Sequence, residues 1–365
     1  MKNIEKILVR STNWIGDAIM ATPAIRRLRE LFPLAHITVA ARPWVLPIFS
    51  ENPYIDSLMP VPKCQGVSQL FSIWNFSRKL NKAHFDLGLL LPNSFASALS
   101  VHMAGITYRT GYATDMRSVL LTMPVPVPAW KGSRHEVFYY LNLIDRLANS
   151  SSPHGQETAW QQYQGTGQPE LTLKVNTEAR RWAGEFLRDR GVSEDHIVIG
   201  LNPGAAFGPA KCWPVENFRT LTRMLLNEPG LSQRHVRIVV LGTKKEKKVG
   251  NAICATFGQR AINAAGQTDL SQAIALIDHM DLLVTNDSGL MHVGAALDRP
   301  LVALFGSTNP VTTGPWSSRS MVVQNPMECA PCLRRKCPSD FRCMKGLEPG
   351  QVFETCMEQL KAHVL

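Results

Sequence analysis

The sequence predicts an α/β protein built from two similar domains, each with a parallel β-sheet. Strand-like apolar runs alternate with helical patterns through both halves of the chain, which is typical of βαβ units and doubly wound sheets. A polar stretch rich in Gly, Ser and Gln, residues 150–169, separates the two halves. The 365 residues also exceed the roughly 100–200 of a single domain. We therefore predict domains at 1–170 and 171–345, followed by a C-terminal helix at 346–365 that packs back on the first domain.

The elements of the first half follow from local patterns. Apolar runs predict strands, and a helical spacing of apolar residues predicts helices. The strands are at 7–10, 37–40 and 86–91, and the helices at 18–32 and 137–149. Pro23 leaves two possibilities inside the helix at 18–32: Thr22 caps a helix that starts at Pro23, or a continuous helix is kinked there.

The second half repeats this alternation of strands and helices. Its predicted elements are a helix at 178–190, strands at 197–201 and 236–241, a helix at 270–279, a strand at 281–285, a short helix after Gly289 and a strand at 301–305. Ligands of such sheets bind outside the carboxyl ends of the strands, so the candidate functional residues are those that follow each strand.

The composition limits the class of protein and its partners. With 45% hydrophobic and 19% charged residues the chain can form sizeable cores. It has no apolar run near the roughly 18 residues that span a bilayer, and no secretory signal pattern, so we expect a cytoplasmic protein. Lys and Arg exceed Asp and Glu by 39 − 29 = 10. Because no nucleic-acid-binding motif accompanies them, this excess favours acidic substrates and a peripheral membrane contact over nucleic acid.

One candidate residue follows the first strand. Asp17 comes directly after Gly16, where a helix is about to begin. A carboxylate at this point stabilises the unpaired amides and the helix dipole. Alternatively, it can accept the proton of an attacking hydroxyl group.

The second half offers three more strand ends. Lys211 lies in a turn opened by Gly208, and is either a solvated lysine or a cation for a ligand. Glu246, beyond Gly242, can bind the hydroxyls of a ribose, or belongs to a solvated charge cluster. After the strand at 281–285, the amides of Ser288, Gly289 and Leu290 begin a helix and can point at a phosphate.

Two further side chains lie beside that helix start. Asp287 would repel a phosphate, so it either bonds to sugar hydroxyls or orients the loop. His292, one turn into the helix, can bond to a phosphate or sugar, or be structural.

The ordered motifs GD-x4-TP, NPGA-x5-K-x-WP and TNDSG-x2-H, followed by AL-x2-P-x-VALFG, resemble those of the ADP-heptose:lipopolysaccharide heptosyltransferases. The resemblance extends over roughly residues 6 to 325. The stretches LPNSFASAL, AGITYRTGY and GPAKCWP are most similar to the type II members of that family. The family consists of inverting glycosyltransferases of the GT-B fold, in which two Rossmann-like domains face each other across a cleft.

The resemblance implies an activity and its partners. The chain would transfer heptose from ADP-heptose, bound in the C-terminal domain, to the first heptose of the lipopolysaccharide inner core, bound in the N-terminal one. This would happen at the cytoplasmic face of the inner membrane. Alternatives are a type I or type III heptosyltransferase, another nucleotide-sugar transferase, or a nucleotide-sugar-binding protein without catalysis. No metal-binding DxD clamp is evident, so no cofactor is expected for catalysis.

The resemblance also implies roles for single residues. Asp17 would be the general base, and Lys211 with Ser288, Gly289 and Leu290 would hold the diphosphate. Asp287 and His292 would contact the heptose and phosphate, Glu246 the ribose and Thr268 the adenosine. Cys212 stands where family members have Arg or His. Independently of the motifs, the basic excess makes Arg109 and Arg117 candidate contacts of an anionic acceptor, with Asn93 and Ser94 beside them; solvated arginines are the alternative.

Four cysteines near the C-terminus form a separate motif. Cys329, Cys332, Cys337 and Cys343 have the spacing C-x2-C-x4-C-x5-C. In a reducing cytoplasm such a group suits structural zinc or iron. Free thiols and a redox disulfide are the alternatives.

Overall fold

The computed structural model describes residues 4–62, 69–149 and 169–365, and the chain divides into two compact units, Met1–Lys174 and Val175–Leu365. The division falls four residues after the expected boundary at residue 170. The expected linker at 150–169 lies outside the described residues, apart from Pro169.

The first unit contains a six-stranded parallel sheet with the order β3-β2-β1-β4-β5-β6. Its strands are β1 (Lys6–Arg10), β2 (His36–Ala41), β3 (Ser57–Pro60), β4 (Leu87–Leu90), β5 (Tyr108–Tyr112) and β6 (Met123–Val125). In the register, Ile7 of β1 lies between Ile37 of β2 and Leu87 of β4. The strand order reverses between β1 and β4, and ligands of doubly wound sheets bind at such a point.

The helices of the first unit pack on both sides of this sheet. They are α1 (Ile15–Met20), α2 (Thr22–Leu31), α3 (Gln69–Ala83), α4 (Phe95–Met103) and α5 (Glu136–Asn149). The single helix expected at 18–32 is two helices that meet at Ala21. Pro23 has no amide hydrogen for the Ile19 carbonyl, and the Thr22 hydroxyl donates to that carbonyl instead, at 2.7 Å. Thr22 is therefore the first residue of α2, and its predicted capping role is wrong.

The second unit repeats the same topology with a six-stranded parallel sheet of order β12-β11-β10-β7-β8-β9. Its strands are β7 (Val198–Asn202), β8 (Arg237–Val240), β9 (Ala261–Asn263), β10 (Leu282–Asn286), β11 (Leu301–Phe305) and β12 (Ser320–Gln324). Its helices are α6 (Thr177–Arg188), α7 (Val215–Asn227), α8 (Lys247–Cys254), α9 (Leu270–Asp278), α10 (Gly289–Ala296), α11 (Pro310–Thr313), α12 (Arg342–Lys345) and α13 (Pro349–His363). The order reverses between β7 and β10, which places the loops after these two strands at the expected ligand edge.

The C-terminal helix α13 belongs to the second unit. It packs against α7 and against β10, β11 and β12. Val352, Cys356 and Leu360 of α13 are fully buried in the core that also contains Trp213. The expectation that this helix packs back on the first domain is thus corrected, because its apolar face completes the core of the second unit.

No helix in the described parts of the chain is both long enough and apolar enough to cross a membrane.

Candidate active site

Asp17 lies in the first turn of α1 and is half-buried. The hydroxyl of Tyr140, from α5, donates a hydrogen bond of 3.2 Å to its Oδ1 atom. The positive end of the helix dipole also favours the charged form of a carboxylate at this position. The carboxylate is therefore fixed by a neighbouring helix while it remains partly accessible, which suits a group that takes up a proton.

The sequence patterns did not indicate Tyr140, because it reads as one more apolar position of a helix. Burial raises the pKa of the Tyr140 hydroxyl well above its usual value, and the negative charge of Asp17 raises it further. The hydroxyl consequently stays protonated and remains a hydrogen-bond donor to Asp17.

A cavity of about 90 Å³ opens at the carboxyl ends of β1 and β2 in the first unit. Arg10 and Arg42 line it together with Ser72 of α3 and with three serines at and after the start of α4, namely Ser94, Ser97 and Ser100. Arg10 is only 5% exposed and donates to Asn13 Oδ1 at 3.1 Å. Arg42 donates to the carbonyl of Pro62. The sequence analysis did not identify either arginine, because no local sequence pattern distinguishes Arg10 from an ordinary strand residue.

The structure shows backbone contacts for two of the expected acceptor residues. Arg117 is fully buried and its Nε donates to the Tyr112 carbonyl at 2.8 Å, and burial lowers its pKa to about 10. Arg109 lies near the amino end of β5 and donates to the carbonyls of Ile106 and Leu120, at 2.5 and 2.8 Å. Both guanidinium groups are thus bound to backbone. The full burial of Arg117 disfavours an acceptor contact, and the acceptor role of the half-buried Arg109 stays a prediction.

Asn93, the third acceptor candidate, lies beside Arg117. Its amide donates to the Tyr139 hydroxyl at 3.2 Å and accepts from Arg117 at 3.5 Å. These bonds hold the loop after β4, next to Ser94 at the cavity.

In the second unit, the loops after β7 and β10 are joined by an ion pair. Lys211 Nζ lies 2.5 Å from Asp287 Oδ2, and the same oxygen accepts a bond of 2.6 Å from the Thr308 hydroxyl. The Lys211 and Asp287 side chains are only 12% and 5% exposed. Of the two roles considered for Asp287, orienting the loop is the one this geometry supports, because the carboxylate fixes the lysine.

The start of α10 is partly exposed. Ser288 is its N-cap residue by backbone conformation, but its hydroxyl does not cap the helix and instead accepts from Asn202 Nδ2 at 2.7 Å. Ser288, Gly289 and Leu290 are all partly exposed. Amides at such a helix start attract anions.

Asn286, buried at the end of β10, stabilises the turn that leads into α10. Its side chain accepts from the Trp213 amide at 3.1 Å and donates to the Pro203 carbonyl at 2.7 Å, so it links the loops after β7 and β10. His292 is only 4% exposed, which favours a packing role over direct contact with a ligand.

Glu246 lies in the loop beyond the carboxyl end of β8, where it ends the short helical turn Lys244–Glu246 directly before α8. Its Oε2 atom accepts from the Thr243 amide at 2.7 Å and from the Thr243 hydroxyl. A Cβ at Gly204 would lie 2.9 Å from Glu246 Cγ, so the side chain runs directly over the loop after β7. Thr268 is partly exposed just before α9. Their ribose and adenosine roles stay predictions.

A model of glycosyltransferase family 9, the heptosyltransferases, matches residues 73–341, which is more than half of the chain. The chain belongs to this family. The enzyme is 35% identical over 327 residues to lipopolysaccharide heptosyltransferase 2 of Salmonella typhimurium, covering 87% of this chain and 88% of that one. It is 32% identical over 329 residues to lipooligosaccharide heptosyltransferase 2 of Haemophilus ducreyi, with the same coverage.

Solved structures of the family agree with the fold. The structure of ADP-heptose lps heptosyltransferase II from E. coli matches with a TM-score of 0.78 and 30% identity, covering 98% of this chain and 99% of that one. A family 9 glycosyltransferase from Veillonella parvula has a TM-score of 0.81 at 23% identity, over 99% and 98% of the two chains. The predicted fold class, that of the GT-B heptosyltransferases with two parallel α/β sheets, is confirmed, and the enzyme is a glycosyltransferase similar to heptosyltransferase II.

The four cysteines of this heptosyltransferase lie in the segment before α13. Cys329 is exposed, Cys332 and Cys337 are half-buried, and Cys343 is buried. Burial raises the pKa of the Cys343 thiol, and the charges of the other three thiols raise it further. Among residues 4–62, 69–149 and 169–365, no group of His, Cys, Asp or Glu has an arrangement suited to a metal ion. The structural zinc or iron stays a prediction.

Proposed function

We propose that the enzyme transfers heptose from ADP-heptose to the first heptose of the lipopolysaccharide inner core, with inversion at the anomeric carbon. The observation that carries the proposal is the chemistry of the two strand-end sites. One holds a partly accessible carboxylate, Asp17, and the other holds a lysine and an accessible helix start. The relatives named heptosyltransferase 2 support the choice of the type II step.

Inverting transfer is a single displacement, in which the acceptor hydroxyl attacks the anomeric carbon and the diphosphate leaves on the opposite face. The proton of the hydroxyl passes to Asp17, which Tyr140 orients. Negative charge that develops on the diphosphate is stabilised by Lys211 and by the amides at the start of α10. Glu246 and Thr268 are proposed to hold the ribose and adenosine, since they follow β8 and β9 at the ligand edge of the sheet.

The acceptor is proposed to place its anionic groups in the cavity of Arg10 and Arg42. The inner core carries carboxylates and phosphates, and guanidinium groups bind both well because of their planar, bidentate geometry. We prefer this cavity to Arg117, which is fully buried, and keep the half-buried Arg109 as a further candidate contact.

The decisive experiment offers radiolabelled ADP-heptose to core acceptors that carry zero, one or two heptoses. The proposal expects label only on the acceptor with one heptose. Transfer to the acceptor with none or with two would identify a type I or type III enzyme instead. Binding of ADP-heptose without transfer to any acceptor would favour a nucleotide-sugar-binding protein.

A peripheral contact with the inner membrane is proposed for the exposed face of α3. Its opposite face is buried in the core through Ile73, Phe76 and Leu80, yet Leu70, Phe71 and Trp74 of its first turns are 73%, 63% and 43% exposed. The helix continues into three exposed basic residues and contains no acidic residue; the basic residues are Arg78, Lys79 and Lys82. Apolar residues beside a basic cluster favour the surface of an anionic bilayer.

If α3 contacts the membrane, replacing its exposed apolar or basic residues should reduce lipid binding. The double variant Phe71→Ser, Trp74→Ser is expected to reduce co-flotation with phosphatidylethanolamine–phosphatidylglycerol vesicles by about tenfold or more, since each apolar side chain stabilises binding through its buried area. Replacing Arg78, Lys79 and Lys82 by Gln should reduce it by about a hundredfold at low salt, at about 1 kcal/mol per cation.

The matched control is Leu34→Ser, which changes a residue of the first unit that is 97% exposed and lies outside α3. Its flotation should equal that of the unmodified enzyme. If both α3 variants bind the anionic vesicles as well as the unmodified enzyme does, the proposed contact is wrong. It is also wrong if the variants lose binding only to vesicles of pure phosphatidylcholine.

Catalysis is expected to need no divalent metal, because the lysine and the helix start supply the positive charge that a metal would bring. Transfer measured after dialysis against EDTA should equal that of the untreated enzyme. The same sample, analysed for zinc and iron before and after EDTA, tests the cysteine motif separately. A loss of transfer that returns with added Mg²⁺ would contradict the metal-free mechanism.

A further inference from the structure

We propose that Arg335 supplies a second cation to the diphosphate of the sugar-nucleotide donor, beside Lys211. Its guanidinium carbon lies 5.5 Å from the centre of the Phe207 ring, and Lys211 Nζ lies 4.9 Å from the centre of the same ring. Two cations from distant parts of the sequence therefore meet at one aromatic side chain of the loop after β7. The inference deepens the proposed function and rests on it, since it takes the donor to be a nucleoside diphosphate sugar.

The backbone of the cysteine-containing segment is fixed against the Lys211 loop. The Arg335 carbonyl accepts from the Ala210 amide at 3.1 Å, directly beside Lys211. Gly208 has a φ of 154°, and a Cβ there would lie 2.4 Å from the same carbonyl oxygen. Gly208 therefore permits a backbone contact that any other residue would prevent.

A second hydrogen bond fixes the other side of this segment. The Leu333 amide donates to the Ser307 carbonyl at 2.8 Å, and the next residue, Thr308, bonds to Asp287. Arg335 is thus carried by a backbone that is attached to the Lys211 loop and to the loop after β11, whose Thr308 side chain bonds to Asp287.

The charges at this site explain why a second cation is needed. Asp287 lies 2.5 Å from Lys211 and offsets part of the lysine's charge, so a second cation would strengthen the binding of a diphosphate. The neighbouring position holds Cys212, a half-buried thiol whose Sγ faces the Gly208 carbonyl at 3.9 Å. In the described part of the chain no carboxylate forms an ion pair with Arg335. Its charge is therefore available, and guanidinium groups bind phosphates with paired hydrogen bonds.

The test compares Arg335→Ala with Arg334→Ala, in which the neighbouring arginine, also exposed, is removed. Both replacements leave the backbone contacts in place, so they report on the guanidinium groups alone. Calorimetry with ADP and with adenosine separates the contribution of the diphosphate to the binding affinity from that of the nucleoside. Arg335→Ala should weaken ADP binding by about tenfold to a hundredfold, as expected for a lost hydrogen bond to a charged group, and leave adenosine binding unchanged.

Further outcomes complete the test. Arg335→Lys should recover part of the ADP affinity, because it restores the charge without the paired hydrogen bonds. Arg334→Ala should stay within about twofold of the unmodified enzyme, the range expected for a screened surface charge. An equal effect of the two alanine variants, or an equal loss of adenosine and ADP binding, would overturn the inference. ADP binding that depends on Arg335 in an enzyme that transfers no heptose would refute the proposed function alone.

Discussion

Asp17→Asn is expected to reduce the turnover number by about 10²- to 10⁴-fold, the usual contribution of a positioned general base. The amide has the shape of the carboxylate but cannot take up a proton from the acceptor. Donor affinity should remain, since the proposed donor residues all lie in the second unit. The measurement is single-turnover transfer at saturating ADP-heptose, with calorimetry of donor binding on the same preparation.

Tyr140→Phe is the companion variant, because it removes only the hydroxyl that orients Asp17. We expect a smaller loss of turnover, about tenfold, at an unchanged KM for ADP-heptose, in keeping with the loss of one hydrogen bond to a charged group. Near-normal turnover of Asp17→Asn would remove this residue from the mechanism, whatever Tyr140→Phe does.

Lys211→Ala is expected to affect both transfer and stability. Loss of a cation at the developing charge should lower the transfer rate by about 10²- to 10³-fold. The variant also leaves the buried Asp287 carboxylate without its cation, with the Thr308 hydroxyl still donating to it. This should lower the free energy of unfolding by about 3 kcal/mol. The measurements are transfer kinetics and urea unfolding.

The double variant Lys211→Ala, Asp287→Ala separates the two effects. It removes the unpaired charge as well as the lysine, so most of the lost stability should return while the transfer rate stays low. Recovery of transfer in the double variant would mean that the lysine acts only by stabilising the loop.

The ligand edge of the second unit was predictable because its signals are local. An apolar run, a polar turn and a helix start follow one another between Leu282 and Ala296, and each has a pattern of its own. The strand at 301–305 has the bounds that its apolar run indicated. Parallel pairing then brings the ends of β7 and β10 together, where Asn202 and Ser288 are hydrogen-bonded.

Contacts set by tertiary packing were not predictable. Arg10 and Arg117 are both arginines that bond to backbone carbonyls, and only the folded chain shows that Arg10 lines a cavity whereas Arg117 is fully buried. The C-terminal helix has an apolar face, but its sequence does not indicate which of the two domains this face packs against. Arg335 lies 124 residues from Lys211, so no local pattern connects the two.

The bond between Trp213 Nε1 and the Leu347 carbonyl, at 2.9 Å, has a consequence for how the second unit folds. It joins positions 134 residues apart, and the helix that follows Leu347 fills the core beneath Trp213. Contacts of such high sequence separation slow folding, because the intervening loop must close before they stabilise anything. Refolding of this unit should therefore be slow, and a fragment that stops before Pro349 should expose apolar surface and aggregate.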